Sequence, residues 1–160
     1  MIVVFDIDGT LANCEHRMHH IKPLALEQGV KPKKNWKAFF DEMVNDKPIV
    51  PIIQMLYRHM AANDDVFFCT GRPETHRDQT LNWMYDIIWS DWMYDGSLGT
   101  EFLYMRAKTD NRPDYVTKAE LADKIMAEHG PIDIWYDDRR KVIDAIRAKG
   151  ITVLAVADNA

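Results

Sequence analysis

The feature that most constrains this chain is a short apolar run that stops on a carboxylate, and then recurs. Ile2-Val3-Val4-Phe5 is β-branched and aromatic, carries no alternating polar face, and meets Asp6-Ile7-Asp8-Gly9-Thr10 at once. An uninterrupted run of this kind suits a strand covered on both faces, as in a parallel sheet. Val66 to Cys69 repeats the pattern and leads into Thr70-Gly71-Arg72, and Ile132 to Tyr136 leads into Asp137-Asp138-Arg139. Phe102 to Met105 and Ile151 to Val156 are two further runs. Helical stripes lie between them: Leu81, Met84, Tyr85 and Ile88; Leu121, Ile125 and Met126; and Val142, Ile143 and Ile146, closed by Gly150. Strands alternating with helices predict an α/β fold, a three-layer Rossmann-like domain around a central parallel sheet.

One stretch breaks the alternation. Residues from about 13 to 47 follow the first strand without reaching a second, which predicts a small helical cap insert within a single domain spanning 1–160. Trp36, Phe39, Phe40 and Met43 form one helical stripe there, and Pro48 and Pro51 open the next helix. The aromatic spacing suits core packing better than a platform for stacking a nucleobase.

Open α/β sheets bind ligands beyond the carboxyl ends of their strands, so the polar residues after each run should converge. Asp6, Asp8, Asp137 and Asp138 would then place four carboxylates at one edge, where mutual repulsion demands a cation. Oxygen ligands suit Mg²⁺, which keeps waters and accepts a substrate phosphate. Each motif alone has a plainer reading. Asp-x-Asp-Gly can be a turn, Thr70-Gly71-Arg72 an ordinary strand-to-helix turn, and Asp137-Asp138 a helix cap. Their joint occurrence at three strand ends is hard to explain by folding needs.

Composition bounds the class. With 160 residues, 47% apolar and 28% charged, the chain is the size and type of one globular domain. A net charge of −5 gives no broad basic footprint for nucleic acid or membrane. The N-terminal apolar run, Ile2 to Phe5, is too short for a signal peptide or a span. Two cysteines, Cys14 and Cys69, make no disulfide framework and suit a reducing, cytoplasmic setting. His16, His19 and His20 with Cys14 lack the spacing of a zinc motif. Arg106, Lys108, Arg112, Arg139 and Arg140 form a modest basic set suited to a phosphate backbone.

Asp6-x-Asp8-Gly9-Thr10, Thr70, Lys118 and Asp137-Asp138, in that order, resemble the four motifs of the haloacid dehalogenase superfamily of phosphohydrolases. The resemblance implies Asp6 as nucleophile, Asp8 as general acid/base, and Mg²⁺ held by Asp6, the Asp8 backbone carbonyl, Asp137 and Asp138. It also implies Thr70, Lys118 and the Gly71 amide as partners of the phosphoryl oxygens, with Thr10 beside them, a role that charge neutralisation at a transferring phosphate would require. Arg17, Arg72, Asp114 four before Lys118, and the stretch Leu103 to Lys118 are similar to the phosphatase domain of bacteriophage polynucleotide kinase/phosphatase. That narrower likeness implies a polynucleotide 3′-phosphatase, with Arg17, Arg72 and Asp114 serving substrate binding. Asp114 is also a good helix N-cap, and Thr117 with Glu120 is a second capping pair. No G-x-x-x-x-G-K-[ST] loop is present for a kinase activity. The alternatives are a nucleotidase acting on 5′ or 3′ mononucleotides, or a phosphate-binding protein without catalysis.

Overall fold

The computed structural model describes residues 1–22, 33–89 and 100–157, so part of the expected insert, residues 23–32, lies outside the described residues. In chain order the elements are β1 (Ile2–Phe5), β2 (Ala12–Asn13), α1 (Trp36–Asp41), β3 (Lys47–Pro48), α2 (Val50–Ala61), β4 (Asp65–Pro73), α3 (Arg77–Met84), β5 (Leu103–Arg106), α4 (Asp114–His129), β6 (Ile134–Asp137), α5 (Arg140–Arg147) and β7 (Thr152–Ala155). Five strands form a parallel sheet in the order β5-β4-β1-β6-β7, and β2 pairs antiparallel with β3 in a separate short ribbon.

The central strand explains its own sequence. β1 has strand neighbours on both edges, and its side chains alternate between two cores. Val3 and Phe5 pack with Ile53 and Leu56 of α2 and with Trp83 and Met84 of α3. Val4 faces the other way, onto Ala122 and Ile125 of α4 and Val142, Ile143 and Ile146 of α5. Helices therefore cover both faces of the sheet, in three layers, and no position of β1 is left for a polar residue until the strand ends.

Several expected boundaries shift. β4 runs past Cys69 through Thr70-Gly71-Arg72 to Pro73, while β6 begins only at Ile134 and Phe102 lies in a 3₁₀ turn. Pro48 belongs to the β2–β3 ribbon, and Pro51 alone sits in the first turn of α2. After α3 the chain makes a π-helical turn over Tyr85–Trp89. Tyr85 at its start is 37% exposed, whereas Trp83, outside the expected stripe, is buried in the core with Met84 and Ile88.

Register then positions the polar residues. Phe5 lies level with Phe68 and with Tyr136, so Asp6, Cys69 and Asp137 come level at one sheet edge. No helix of the described residues is long and apolar enough to cross a membrane. Ile143, on the sheet-facing side of α5, is fully buried. Ile143→Ala should lower unfolding stability in urea by about 2–5 kcal/mol, the usual result of emptying a core position. A loss below about 1 kcal/mol would show that this face is loosely packed.

Candidate active site

The centre of the site is an ammonium group packed among carboxylates. Asp6 is 2% exposed, directly after β1. Lys118, from the second turn of α4, places Nζ 2.7 Å from Asp6 Oδ1, 2.9 Å from Asp137 Oδ2 and 3.6 Å from Asp114 Oδ2. Burying a lysine so completely is tolerable only with such partners. Burial would lower the Lys118 pKa, but Asp137 and Asp6 outweigh it and hold the group firmly charged. The Thr10 hydroxyl donates to Asp6 Oδ2 at 3.2 Å, fixing the carboxylate from the other side. Asp137 also accepts from the Trp135 indole at 3.2 Å and from the Arg139 backbone N–H at 3.0 Å.

Negative charge remains in excess. Asp6, Asp137 and Asp138 each offer an oxygen within 4.8 Å of the others. Burial pushes the Asp6 carboxyl well up, Lys118 opposes it, and Asp137 and Asp138 push it further. Burial and Asp137 likewise raise Asp138, whose Oδ1 is buried without a hydrogen-bond partner. An orphaned carboxylate oxygen beside two more is a donor set that fits a hard divalent cation. Gly9 completes the corner, with φ of +87°, where a Cβ would collide with the Asp138 carboxylate. Only glycine satisfies both demands.

Asp8 faces a different environment. Its Oδ1 accepts from Arg17 Nη2 at 2.6 Å and from Arg72 Nη2 and Nε at 2.6 and 3.0 Å. Burial would raise its pKa, but Arg72 and Arg17 prevail and hold it down to about 2. Both arginines are fully buried, and a second carboxylate backs them. Asp46 accepts from Arg17 Nε at 2.8 Å, Arg17 Nη2 at 2.6 Å and Arg72 Nη2 at 3.1 Å, and lies 2.8 Å from His16 Nε2. Its backbone carbonyl takes the Trp83 indole N–H at 2.8 Å. The sequence gives no local sign of Asp46, because its arginine partners lie 29 and 26 residues away. Arg17 and Arg72 were expected to bind substrate; their guanidinium groups are instead spent on Asp8 and Asp46, and they reach the site through Asp8.

Thr70 is buried, and its hydroxyl accepts from the Arg72 N–H at 3.2 Å. A Cβ on Gly71 would collide with the Asp114 carboxylate, so the glycine admits that residue to the site. Asp114 is the first residue of α4 rather than its cap, a position held by Pro113 with no side-chain cap bond. Its carboxylate lies 3.0 Å from Arg106 Nη2, 3.4 Å from Arg139 Nη1 and 3.6 Å from Lys118. Thr117 and Glu120 do not cap either: Thr117 bonds Asp110 and Arg106, and Glu120 bonds Arg112. Arg106 also donates to the Gly71 and Arg112 carbonyls at 3.0 and 2.7 Å. It therefore braces this loop, and is not spare for a phosphate backbone.

A cleft of about 630 Å³ opens over these groups. Asp6, Asp8 and Lys118 line it, together with Trp36, Phe40 and Lys108. Of the expected aromatic stripe, Phe39 and Met43 are buried, whereas Trp36 is 45% exposed. Histidines away from the cleft form a separate group, in which His19, His20 and Glu42 bring ligand atoms within 4.8 Å. His16 is engaged with Asp46.

Residues 1–160 match the family described as the polynucleotide kinase PNKP phosphatase domain, and the chain belongs to that family. It is a phosphatase of the haloacid dehalogenase superfamily, a phosphoric monoester hydrolase. No curated protein matched. Among solved structures, a chain of the Pnkp1/Rnl/Hen1 complex is similar at 23% identity and TM-score 0.67. The match covers 97% of this chain but 44% of that one, so this chain spans less than half of its length. A haloacid dehalogenase-like hydrolase from Streptococcus pneumoniae is similar at 14% identity and TM-score 0.61, covering 96% of this chain and 83% of that one. The class C acid phosphatase from Bacillus anthracis, with tungstate bound, is similar at 12% identity and TM-score 0.60, covering 96% and 65%. These likenesses establish the fold.

Asp114→Asn separates two roles for this residue. If the carboxylate aims Lys118, kcat/KM on p-nitrophenyl phosphate should fall about tenfold or more, since 1.4 kcal/mol at the transition state is a factor of ten. The melting temperature should barely move. Near-normal activity would leave Asp114 as a helix-terminal anion only.

Proposed function

We propose that this family member removes 3′-phosphates from DNA or RNA ends through an aspartyl-phosphate on Asp6, with Mg²⁺ as cofactor. The observation that carries the reading is the Lys118 ammonium, 2.7 Å from Asp6 and 2.9 Å from Asp137, beside the unpartnered Asp138 oxygen. A carboxylate nucleophile here faces fixed positive charge where a phosphoryl group would gain negative charge. Asp6, the Asp8 backbone carbonyl, Asp137 and Asp138 would hold Mg²⁺, which when bound neutralises charge on the phosphoryl oxygens.

The residues divide the work. Thr10 orients Asp6, whose oxygen attacks phosphorus as the bond to the sugar oxygen breaks. Lys118, the Thr70 hydroxyl and the Gly71 amide stabilise the equatorial oxygens. Asp8 gives a proton to the leaving oxygen, then takes one from the water that attacks phosphorus and frees Asp6. The two arginines hold Asp8 ionised, the form needed for the water step. A phosphate dianion entering beside Asp8 disfavours that form and raises its pKa toward the acid needed first. The segment from about 13 to 47 would serve as the cap of a single 1–160 domain, since it delivers Arg17, Trp36 and Asp46.

The likeness to a chain of a complex described as an RNA repair complex supports a nucleic-acid end as substrate. One observation favours a mononucleotide instead. Arg17, Arg72, Arg106 and Arg112 are committed to partners within the chain, leaving few cations for phosphates further along a strand.

Two experiments test the reading. Chelation should abolish turnover, and Mg²⁺ should restore it and raise the melting temperature by relieving repulsion among Asp6, Asp137 and Asp138. Full turnover after exhaustive chelation would exclude the cofactor. For the substrate, a short 3′-phosphorylated oligonucleotide should have a higher kcat/KM than the matching 3′-mononucleotide, with a KM that rises with salt. A mononucleotide preferred at both low and high salt would replace the polynucleotide reading with a nucleotidase.

A further inference from the structure

Aromatic rings share the cleft with its charged groups. Trp36, the first residue of α1, leaves 45% of its surface exposed, and it lines the cleft that holds Asp6 and Lys118. Phe40 lies one turn on, its ring 5.9 Å from that of Trp36 and inclined by only 21°. The two rings are thus nearly parallel and line the same cleft as the charged groups around Asp6.

This surface is packed from beneath. Phe39 is 2% exposed and meets Trp36 edge-on at 5.7 Å and 87°, and Phe40 at 5.2 Å and 75°. The Arg17 guanidinium lies over Phe39, 4.2 Å from the ring centroid, while its Nη2 is 2.6 Å from Asp8. Arg17 Nη1 also donates to the Phe39 carbonyl at 3.1 Å. Trp36, Phe39, Arg17 and Asp8 therefore form one continuous packed chain from the exposed aromatic surface to the acid/base. Core packing accounts for Phe39. It does not account for an exposed indole on the same helix, facing the cleft.

We propose that Trp36 and Phe40 stack the nucleobase of the nucleotide whose phosphate is removed. The inference rests on the nucleotide-phosphatase reading and extends it to a base-binding subsite. Three features fit that occupant. The surface shares one cleft with the groups that face the phosphate, as the two ends of a nucleotide require. The cleft volume of about 630 Å³ falls within the usual range of small-molecule sites, about 300–1,000 Å³. Every base has a π-face, so stacking on these rings would be tolerant of sequence. A sequence-tolerant end-processing enzyme needs that property.

The test compares 3′-phosphorylated oligonucleotides that carry or lack the terminal base, on the full chain and on Trp36→Ala and Trp36→Phe. The unaltered protein should prefer the base-bearing substrate by about tenfold in kcat/KM, the usual worth of one stacked base. Trp36→Ala should bring that preference close to one, and Trp36→Phe should keep most of it. An unchanged preference in Trp36→Ala, or no preference in the unaltered protein, would overturn the subsite. If neither oligonucleotide is turned over, the phosphatase reading of the substrate fails separately. Calorimetric binding of adenosine 3′-phosphate then decides the platform: weaker binding to Trp36→Ala supports it, and equal binding overturns it. A concentration-dependent dimer that Trp36→Ala dissolves would assign the surface to a second copy and also overturn it.

Discussion

A lysine 1% exposed, held between two buried aspartates, is costly unless every element around it is in place. Asp6 comes from the end of β1, Asp137 from β6, and Lys118 from α4. The contact therefore exists only if β1 and β6 are paired in their observed register and α4 lies over the sheet. Removing the lysine would leave two buried carboxylates without their cation. Even with all three present the charges do not balance, because Asp138 stands beside them with an oxygen unsatisfied. The fold thus builds a site in deficit of positive charge, which a divalent cation would relieve.

A second charge cluster sits next to the first and is satisfied within the protein. Asp8 and Asp46 share Arg17 and Arg72, two carboxylates against two guanidinium groups, all buried or nearly so. The contrast between the clusters divides their chemistry. Burial leaves Asp6 short of positive charge, while the arginines hold Asp8 near a pKa of about 2. Two carboxylates only two residues apart are driven in opposite directions by their surroundings, a recurrent basis for distinct roles in one site. Arg17 also packs on Phe39, so the aromatic platform and the acid/base are braced by one side chain.

The sheet was legible in the sequence because a strand buried on both faces must be apolar throughout and can turn polar only where it ends. That single rule located Asp6 and Asp137, and the parallel register made them converge. Lys118 required a family resemblance, since a lysine on an amphipathic helix carries no sign of burial. Asp46 was not legible at all, as its function depends on arginines 29 and 26 residues distant. Arg106 shows the reverse failure. It reads as a spare surface cation, yet its donors are consumed by carbonyls and Asp114 in a loop whose path the sequence does not reveal. Trp36 departs from its helical stripe for a related reason. Helical periodicity tells which residues share a face, but not where the neighbouring wall stops, and the wall covers Phe39 and Met43 while leaving Trp36 open.

Central to this account is a phosphoryl group carried on Asp6. An acyl phosphate is reduced by borohydride, leaving a permanent mark on the side chain that bore it. The decisive measurement is to quench the protein with borohydride during turnover and locate the reduced residue by peptide mass spectrometry. An aspartyl-phosphate on Asp6 would leave the mark at position 6, dependent on substrate and absent from Asp6→Asn. A mark at another residue, or none during sustained turnover, would contradict it.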